Sequence, residues 1–410
     1  MIEVFMKERE AVISDGIKTH RSDEIQKDNY LVRPPTNDVI EERIGLDNIE
    51  LKTALLISPG ISTTDPSKEQ KGEVPRSTLF QRTLNAVKID ENYLSSAPLW
   101  RRQLYRRIPT GFAQVVETFI IRKKVDVIVS WSDMNGLLFA LLLKLTHSKV
   151  PHVSMMYWPS KPKKAFLLKH VHRQITTLCL WTTTHRKFVT DRLGVPSEKI
   201  TMIPHLVDQE FFHPIQRQTD MICAVGQEMR DYPTFIEAMR GLDIKCHIAA
   251  GLSPGAKMHN TVKAVYRQEN ELPPNVTAGA LSPIKLRELY ARSRFVVVPL
   301  LPTDSDNGSL VITEAMAMGK AVICSLTEGQ RDVIVEGKTG IYVPQGDPKA
   351  LREAIQYMWE HPDIAERMGR EGRKLVEEKF TFDNFANRIK DIVEDTAIKF
   401  KRNGRIGSLL

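Results

Sequence analysis

The sequence predicts an α/β protein of two Rossmann-like domains in series with a helical C-terminal tail, and three observations support this fold class. The chain has 410 residues, which is more than one hydrophobic core comfortably accommodates. Short apolar runs alternate with helical patterns, as expected for parallel sheets covered by helices. The alternation restarts near residue 221, so two sheets should face a central cleft, where ligands are expected.

The alternation divides the chain into four expected segments. Residues 1–50 are polar, without sustained periodicity, and are expected to be an N-terminal arm. Residues 51–210 should form the first domain and residues 211–385 the second, with Pro214 and the polar stretch behind it as the linker. Residues 386–410 are expected to be a C-terminal helix and tail, packed on the second domain or reaching back across the cleft.

The strands of both predicted sheets are apolar runs that end in turn signals. In the first domain they are TALLI, VDVIVSW, PHVSMMYW, LCLWTT and KITMIP, and in the second MICAVG, IKCHIAAG, NVTAGA, RFVVVPL and KAVICS. A helix is expected over STLFQRTLNAV, residues 77–87. Three helical segments are expected between Pro348 and about Phe400.

Charge and composition limit the class of partner. The net charge is +8, with basic clusters at 101–107, 121–124 and 161–173, which favours an anionic membrane surface, an anionic small molecule or nucleic acid. No nucleic-acid module is recognisable, so no nucleic acid is expected. No apolar run approaches the roughly 20 residues of a membrane span, and the N-terminus is charged. A cytoplasmic location is expected, with peripheral attachment to the inner membrane face as a further expectation.

The basic segment KKAFLLKHVHR has two interpretations. Phe166, Leu167, Leu168 and Val171 lie among its cations, a pattern that fits a helix lying on anionic lipid. The alternative is a solvated helix whose leucines pack on its own sheet.

Several enzyme classes lack their sequence signatures here. No G-x-G-x-x-G follows a strand and no G-x-x-x-x-G-K occurs. The 11 histidines have no metal-ligand spacing. The triplet at 304–306 resembles a metal-binding acidic cluster, but it lies in a two-domain context, so no metal is expected.

The strongest candidate site is the stretch DSDNGSLVITEAMAMGK at residues 304–320. Gly308 and Ser309 should end a loop and cap a helix, whose first amides, near Leu310, would bind a diphosphate. Glu314 would approach a ribose from the second turn, and Asp306 would face a sugar beyond the phosphates. The alternative is a helix start with acids favoured by the helix dipole.

Residues 200–385 resemble the retaining glycosyltransferases of family 4, which have the GT-B fold. The resemblance rests on the carboxylates of Asp306 and Glu314 eight residues apart, on EAMAMGKAVI and EGKTGIYVPQGDPKAL, and on RELYARSRFVVVP. It implies that Glu314 holds the ribose of a nucleotide sugar and that Asp306 stands where the family has its first Glu. Arg230, after the strand ending at Gly226, would hold the diphosphate, while Gln227 replaces a second cation. No metal is implied.

The resemblance is weaker over residues 50–200, which would hold the acceptor. Gly60, Asp133 and Tyr157 are the acceptor-side candidates, and Asp133 has a helix cap as its alternative role. A histidine that often ends a later strand in the family has no counterpart, since Tyr157 or Trp158 stands there. His205 replaces the usual Asn in a segment expected to be the hinge.

The predicted function is the transfer of a hexose-type sugar from a nucleotide-diphosphate sugar to a hydroxyl acceptor, with retention and without a metal. The alternative is a catalytically degraded GT-B protein that binds nucleotide sugars or regulates a partner, suggested by Gln227, Asp306 and the missing histidine. A nucleic-acid-binding protein and a GT-B nucleotide-sugar epimerase are the further alternatives.

Overall fold

The computed structural model describes residues 51–59, 66–76, 83–250, 265 and 272–406. The predicted arm at 1–50 and the candidate Gly60 lie outside the described residues. Within them the chain forms two parallel sheets of six strands each, flanked by helices. The predicted fold class of two Rossmann-like domains is therefore confirmed.

The first sheet has the strand order β2-β1-β3-β4-β5-β6, with all pairings parallel. Its strands are β1 Thr53–Ile57, β2 Ala86–Ile89, β3 Val127–Trp131, β4 His152–Met155, β5 Thr177–Leu180 and β6 Ile200–Met202. Its helices are α1 Pro66–Gln70, α2 Glu91–Ser95, α3 Leu99–Tyr105, α4 Thr110–Ile121, α5 Asp133–Leu145, α6 Pro162–Val171 and α7 Thr183–Asp191.

The second sheet has the order β12-β11-β10-β7-β8-β9. Its strands are β7 Met221–Val225, β8 Lys245–Ala249, β9 Val276–Ala278, β10 Ser293–Val298, β11 Ala321–Leu326 and β12 Gly340–Pro344. The chain runs outward from β7 to β9 and then returns to β10 on the other side of β7. This reversal is a topological switch point, the place where open parallel sheets bind ligands.

The helices of the second half end in a tail that crosses back to the first domain. They are α8 Tyr232–Met239, α9 Pro283–Arg292, α10 Ser309–Ala317, α11 Pro348–Glu360, α12 Pro362–Leu375 and α13 Phe382–Ile406. A π-helical turn at Val376–Phe380 precedes α13. Phe385, Ile389 and Val393 of α13 are buried in the core of the first sheet. The last helix therefore joins the two domains.

Two segments of the first domain differ from expectation. Ala86–Ile89, in part assigned to a helix from sequence, is strand β2 at the edge of the sheet, with Val87 exposed. Edge strands bury only one side, so their apolar pattern is too weak to separate them from a helix end. In α6, Leu168 and Val171 are buried in the core, which agrees with the packed-helix alternative for that segment.

Candidate functional site

The loops after β7 and β10 are joined at the switch point of the second sheet. The Leu301 amide donates to the Met229 carbonyl at 2.9 Å, and the Asp231 amide donates to the Pro299 carbonyl at 3.0 Å. A short antiparallel bridge between Arg230 and Leu300 completes the pairing. The carboxyl ends of the two central strands thus form one continuous wall of the cleft.

Arg230 is anchored beneath this wall. Its side chain is buried, Nε donates to the Val225 carbonyl at 2.8 Å, and Nη1 donates to the Glu228 carbonyl at 2.8 Å. Gly226 has a φ of +108°, and a Cβ there would lie 2.3 Å from Nη2 of the guanidinium. Glycine is therefore required at 226 both for its backbone conformation and for the approach of the arginine.

The N-terminus of α10 lies next to this guanidinium. Gly308, with a φ of +95°, occupies the N-cap position, and no side chain caps the helix. A Cβ on Gly308 would lie 3.7 Å from Nη1 of Arg230. Ser309 is the first helical residue, and its hydroxyl donates to the Asp306 carbonyl at 2.8 Å, while Leu310 is exposed. The helix dipole and the arginine together make this corner electropositive.

Glu314 lies one and a half turns into α10 and is nearly buried, at 8% exposure. Its Oε2 accepts a hydrogen bond of 2.8 Å from the Tyr290 hydroxyl. Burial raises the pKa of Glu314 to about 7, although the Tyr290 hydrogen bond and the charge of Arg230 oppose that rise. Near neutral pH this carboxyl is therefore divided between its protonated and ionised forms.

Asp306 lies in the loop before α10, next to His205 in the segment that follows β6. Its Oδ1 accepts from the Ser305 hydroxyl at 3.2 Å, and its Oδ2 is 3.7 Å from Nδ1 of His205. Burial raises the pKa of Asp306 and lowers that of His205 to about 4. The imidazole of His205 is neutral at neutral pH, so the contact is not an ion pair. His205, in the segment that the sequence predicts to be the hinge, thus lies directly beside the candidate site residue Asp306.

On the first-domain wall, Asp133 is bound within its own domain. It is the first residue of α5, behind the N-cap Ser132. Its carboxylate accepts hydrogen bonds from the amides of Tyr157 at 2.9 Å and Trp158 at 3.2 Å, and from the ammonium of Lys164. The Asp133 side chain therefore connects the loop after β4 to α5 and does not cap the helix. Its predicted contact with the sugar acceptor stays a prediction.

Tyr157 forms part of an aromatic cluster at the carboxyl edge of the first sheet. Its ring stacks on Trp181, with centroids 4.2 Å apart and planes 15° apart, and meets Trp131 edge-on at 6.3 Å. The residue remains 38% exposed. An aromatic ring held in this way presents a rigid apolar surface to whatever enters the cleft.

His185 is a cleft residue that the sequence analysis missed. It lies in the first turn of α7, behind strand β5, and is buried with neither ring nitrogen hydrogen-bonded. Burial lowers its pKa, while the charges of Asp306, Asp304 and Asp133 oppose the shift, which places the imidazole in the field of both walls. The sequence signal was its position just after the carboxyl end of a parallel strand.

The two walls touch across part of the cleft. The indole N–H of Trp158 donates to Asp304 at 2.8 Å, the amide of Thr183 donates to Asp332 at 2.9 Å, and the Thr184 hydroxyl donates to the Glu328 carbonyl at 2.7 Å. These bonds join α7 and the loop after β4 to the second domain. The arrangement is that of a closed cleft.

Among the residues that the structure describes, no three His, Cys, Asp or Glu side chains are grouped so that they could hold a metal ion. In the same part of the chain, no helix is long and apolar enough to cross a membrane.

The second domain is similar to a known protein family. Residues 224–375 match the family model described as glycosyl transferases group 1. A D-rhamnosyltransferase of Pseudomonas aeruginosa is 35% identical over 78 residues, 19% of this chain and 20% of the relative. A capsular polysaccharide biosynthesis glycosyltransferase of Staphylococcus aureus is 37% identical over 82 residues, 20% of this chain and 22% of the relative. The matched segments thus span about a fifth of the length of these relatives.

Longer matches are more distant. The sulfoquinovosyl transferase SQD2 of Arabidopsis thaliana is 23% identical over 74% of this chain and 63% of its own. The structure of a sucrose-phosphate synthase from Thermosynechococcus elongatus matches 84% of this chain and 98% of its own, with a TM-score of 0.65 and 17% identity. That of Anabaena HepE in complex with UDP-glucose matches 84% and 99%, with a TM-score of 0.63 and 12% identity. The two domains therefore have the GT-B fold, and residues 224–375 of the second domain are similar to the group 1 glycosyl transferases.

Proposed function

We propose that this protein is a retaining glycosyltransferase of family 4 that moves a hexose-type sugar from a nucleoside-diphosphate sugar to a hydroxyl acceptor without a metal. The observation that carries the proposal is the cluster at the switch point of the second sheet. There a buried arginine, an uncapped helix N-terminus and a nearly buried carboxyl come together, the three groups needed for a diphosphate and a ribose.

The donor would lie along this wall. The diphosphate would bind at the amides of α10 beside Arg230, and the Glu314 carboxylate would accept hydrogen bonds from the ribose hydroxyls. Asp306 would contact the sugar. Structures of Anabaena HepE contain UDP or UDP-glucose, so UDP-glucose is the first donor to test.

In the proposed reaction the bond between the anomeric carbon and the diphosphate oxygen breaks, and the acceptor oxygen bonds to that carbon from the same face. The acceptor proton passes to the departing diphosphate oxygen, so no general base is assigned. The positive potential of Arg230 and the α10 N-terminus would stabilise the charge that develops on the diphosphate. The bonds between the two walls would exclude water that could hydrolyse the donor.

The acceptor would enter from the first domain, over the exposed ring of Tyr157. An aromatic face suits the apolar side of a sugar ring or another flat acceptor group. A cytoplasmic location with peripheral attachment to the inner membrane face stays a prediction of the sequence.

Nuclear magnetic resonance of the anomeric proton, with UDP-, GDP- and ADP-sugars in turn, tests the proposal. With a metal chelator present, we expect one donor to be lost slowly even without acceptor. The product first formed should have the donor's anomeric configuration. If a nucleotide binds but every donor stays intact, the protein is the binding or regulatory protein considered as the alternative. Inversion of configuration, or dependence on a metal, would refute the mechanistic part of the proposal.

A further inference from the structure

The largest group of exposed apolar side chains in the described part of the chain lies on two neighbouring helices of the first domain. These side chains, the α3–α4 face, are 36% to 70% exposed. They are Leu99, Trp100 and Leu104 on α3, and Phe112, Val116 and Ile120 on α4. Phe112, Val116 and Ile120 are four residues apart and form one stripe on α4, and Trp100 and Leu104 are likewise four residues apart on α3. Exposed apolar side chains grouped on neighbouring helices are typical of interaction surfaces.

The α3–α4 face is held on a rigid support. The buried carboxylate of Glu117 in α4 accepts from the Tyr105 hydroxyl at 2.7 Å and from Nη1 of Arg101 at 3.1 Å, which ties α3 to α4. The residues of α4 that flank this stripe, Ala113 and Val115, are buried in the domain core. The exposed side chains are therefore fixed in place by the fold and are not the ends of a loose loop.

The charge along α3 and α4 themselves is almost entirely of one sign. Between residues 97 and 124 the chain has seven Arg and Lys residues and a single acid, Glu117, which is already paired with Arg101. Arg106 and Arg107 are exposed at the end of α3, and Lys123 and Lys124 are exposed beyond α4. Apolar side chains bordered by cations complement the acyl chains and anionic headgroups of a bilayer surface.

The position of α4 relates this surface to the cleft. A Cβ on Gly111, in the first turn of α4, would lie 2.7 Å from Oδ1 of Asn135 and 3.5 Å from the ring of Pro59. Asn135 in turn donates to the carbonyl of Ile57, the last residue of β1. The first turn of α4 therefore lies at the carboxyl edge of the first sheet, the edge that faces the cleft.

We propose that the α3–α4 face docks on an anionic lipid bilayer and holds the acceptor side of the cleft at the membrane surface. This assigns the membrane contact to α3 and α4. The basic helix α6, the segment singled out in the sequence, has only Phe166 as an exposed large apolar side chain, and its Lys164 is bound to Asp133. The proposal does not depend on the transfer reaction.

Co-sedimentation of the full chain with vesicles tests the docking surface. Vesicles of phosphatidylcholine alone are compared with vesicles containing about one third phosphatidylglycerol. We expect binding to the anionic vesicles only, weakened by high salt. The double variant Trp100→Ser, Phe112→Ser should bind roughly tenfold or more weakly, and so should Arg106→Glu, Arg107→Glu. All changed side chains are exposed, so circular dichroism and melting temperature should not change.

The matched control is a double variant of α6, Phe166→Ser with Lys163→Glu, which should bind vesicles like the wild-type chain. Absence of binding to anionic vesicles, or an equal loss in the α6 control, would overturn the proposal. So would concentration-dependent dimers in sedimentation velocity that disappear in the Trp100→Ser, Phe112→Ser variant, since a second copy of the chain would then cover the face. Because vesicle binding needs no donor, failure here leaves the proposed transfer reaction untouched.

Discussion

The two walls of the cleft are built in different ways. On the second-domain wall, Arg230, Gly308 and Glu314 come from two loops and a helix that meet at the switch point, where the guanidinium lies beside the helix start and its charge acts on the Glu314 carboxyl. On the first-domain wall, Asp133 is occupied by bonds to its own domain, whereas His185 is buried without a hydrogen-bond partner for its ring.

This difference indicates that the two walls have different roles. In the proposed function the second wall binds the phosphate-bearing ligand, because it combines a helix N-terminus with the carboxyl end of a parallel strand. The first wall depends on contacts between loops that are distant in sequence. These contacts hold the loops in place, and they leave few charged groups free for a ligand. We therefore expect changes on the second wall to abolish donor use, and changes on the first wall to act on stability or on acceptor geometry.

The largest effect should come from Asp306→Ala. Loss of the carboxylate that would position the sugar should lower turnover roughly a hundredfold or more, whereas binding of the nucleoside diphosphate should stay within about twofold. Turnover assays and calorimetry on the same preparation separate the two effects. Asp363→Asn, at an exposed position in α12, is the control and should behave like the wild type. Equal loss of nucleotide binding in Asp306→Ala would show that this acid serves the fold or the nucleotide.

The pH dependence of stability should reveal the buried carboxyl of the second wall. The pKa of Glu314 rises from 4.5 to about 7 on folding, so the folded chain holds this proton more tightly than the unfolded chain. The contribution of this proton to the free energy of unfolding is complete below pH 4.5 and is lost as the pH rises through about 7. The free energy of unfolding should fall by up to about 3 kcal/mol over this range.

Urea unfolding of the wild type and of Glu314→Gln across this pH window tests the prediction. The difference between their free energies of unfolding isolates Glu314 from His185 and His205, whose lowered pKa values act in the opposite direction. A difference that does not vary with pH would mean that the carboxyl titrates normally.

On the first wall, Asp133→Asn should act mainly on stability. The change removes the charge that accepts two backbone N–H groups and pairs with the Lys164 ammonium, which should lower the free energy of unfolding by about 2 kcal/mol. Donor hydrolysis by the folded fraction should fall only slightly. If hydrolysis is unchanged but transfer to an acceptor disappears without loss of stability, Asp133 contacts the acceptor instead.

The smallest effect should come from His185→Phe, which keeps the ring volume and removes both nitrogens. Because neither nitrogen has a partner in the protein, the free energy of unfolding should stay the same or rise. The catalytic efficiency kcat/KM should nevertheless fall about tenfold, if the imidazole donates a hydrogen bond to the substrate. A stability loss without an effect on kcat/KM would show a purely structural histidine.

The contrast between the walls also explains what the sequence could predict. The strands around Arg230 and the helix start at Gly308 follow local rules, so the candidate residues of the second wall could be named before the structure. The contact of Glu314 with Tyr290 could not be predicted, since it joins residues 24 positions apart through packing.

On the first wall, local rules were less informative. The two amides that Asp133 binds belong to a loop about 24 residues further along the chain, which no spacing in the sequence reveals. His185 carried a signal only through its position after β5. The edge strand at Ala86–Ile89 was assigned in part to a helix because its apolar pattern is short and only one of its faces is buried.

The most direct test of the central claim is calorimetric titration of the full chain with UDP, GDP, ADP, CDP and TDP, repeated with Glu314→Ala and with the exposed control Glu360→Ala. We predict that one nucleotide binds the wild type and the Glu360→Ala variant alike, and that Glu314→Ala binds it at least about tenfold more weakly. Equal binding by Glu314→Ala, or no binding of any nucleotide to the wild type, would contradict a nucleotide-sugar site on the second wall.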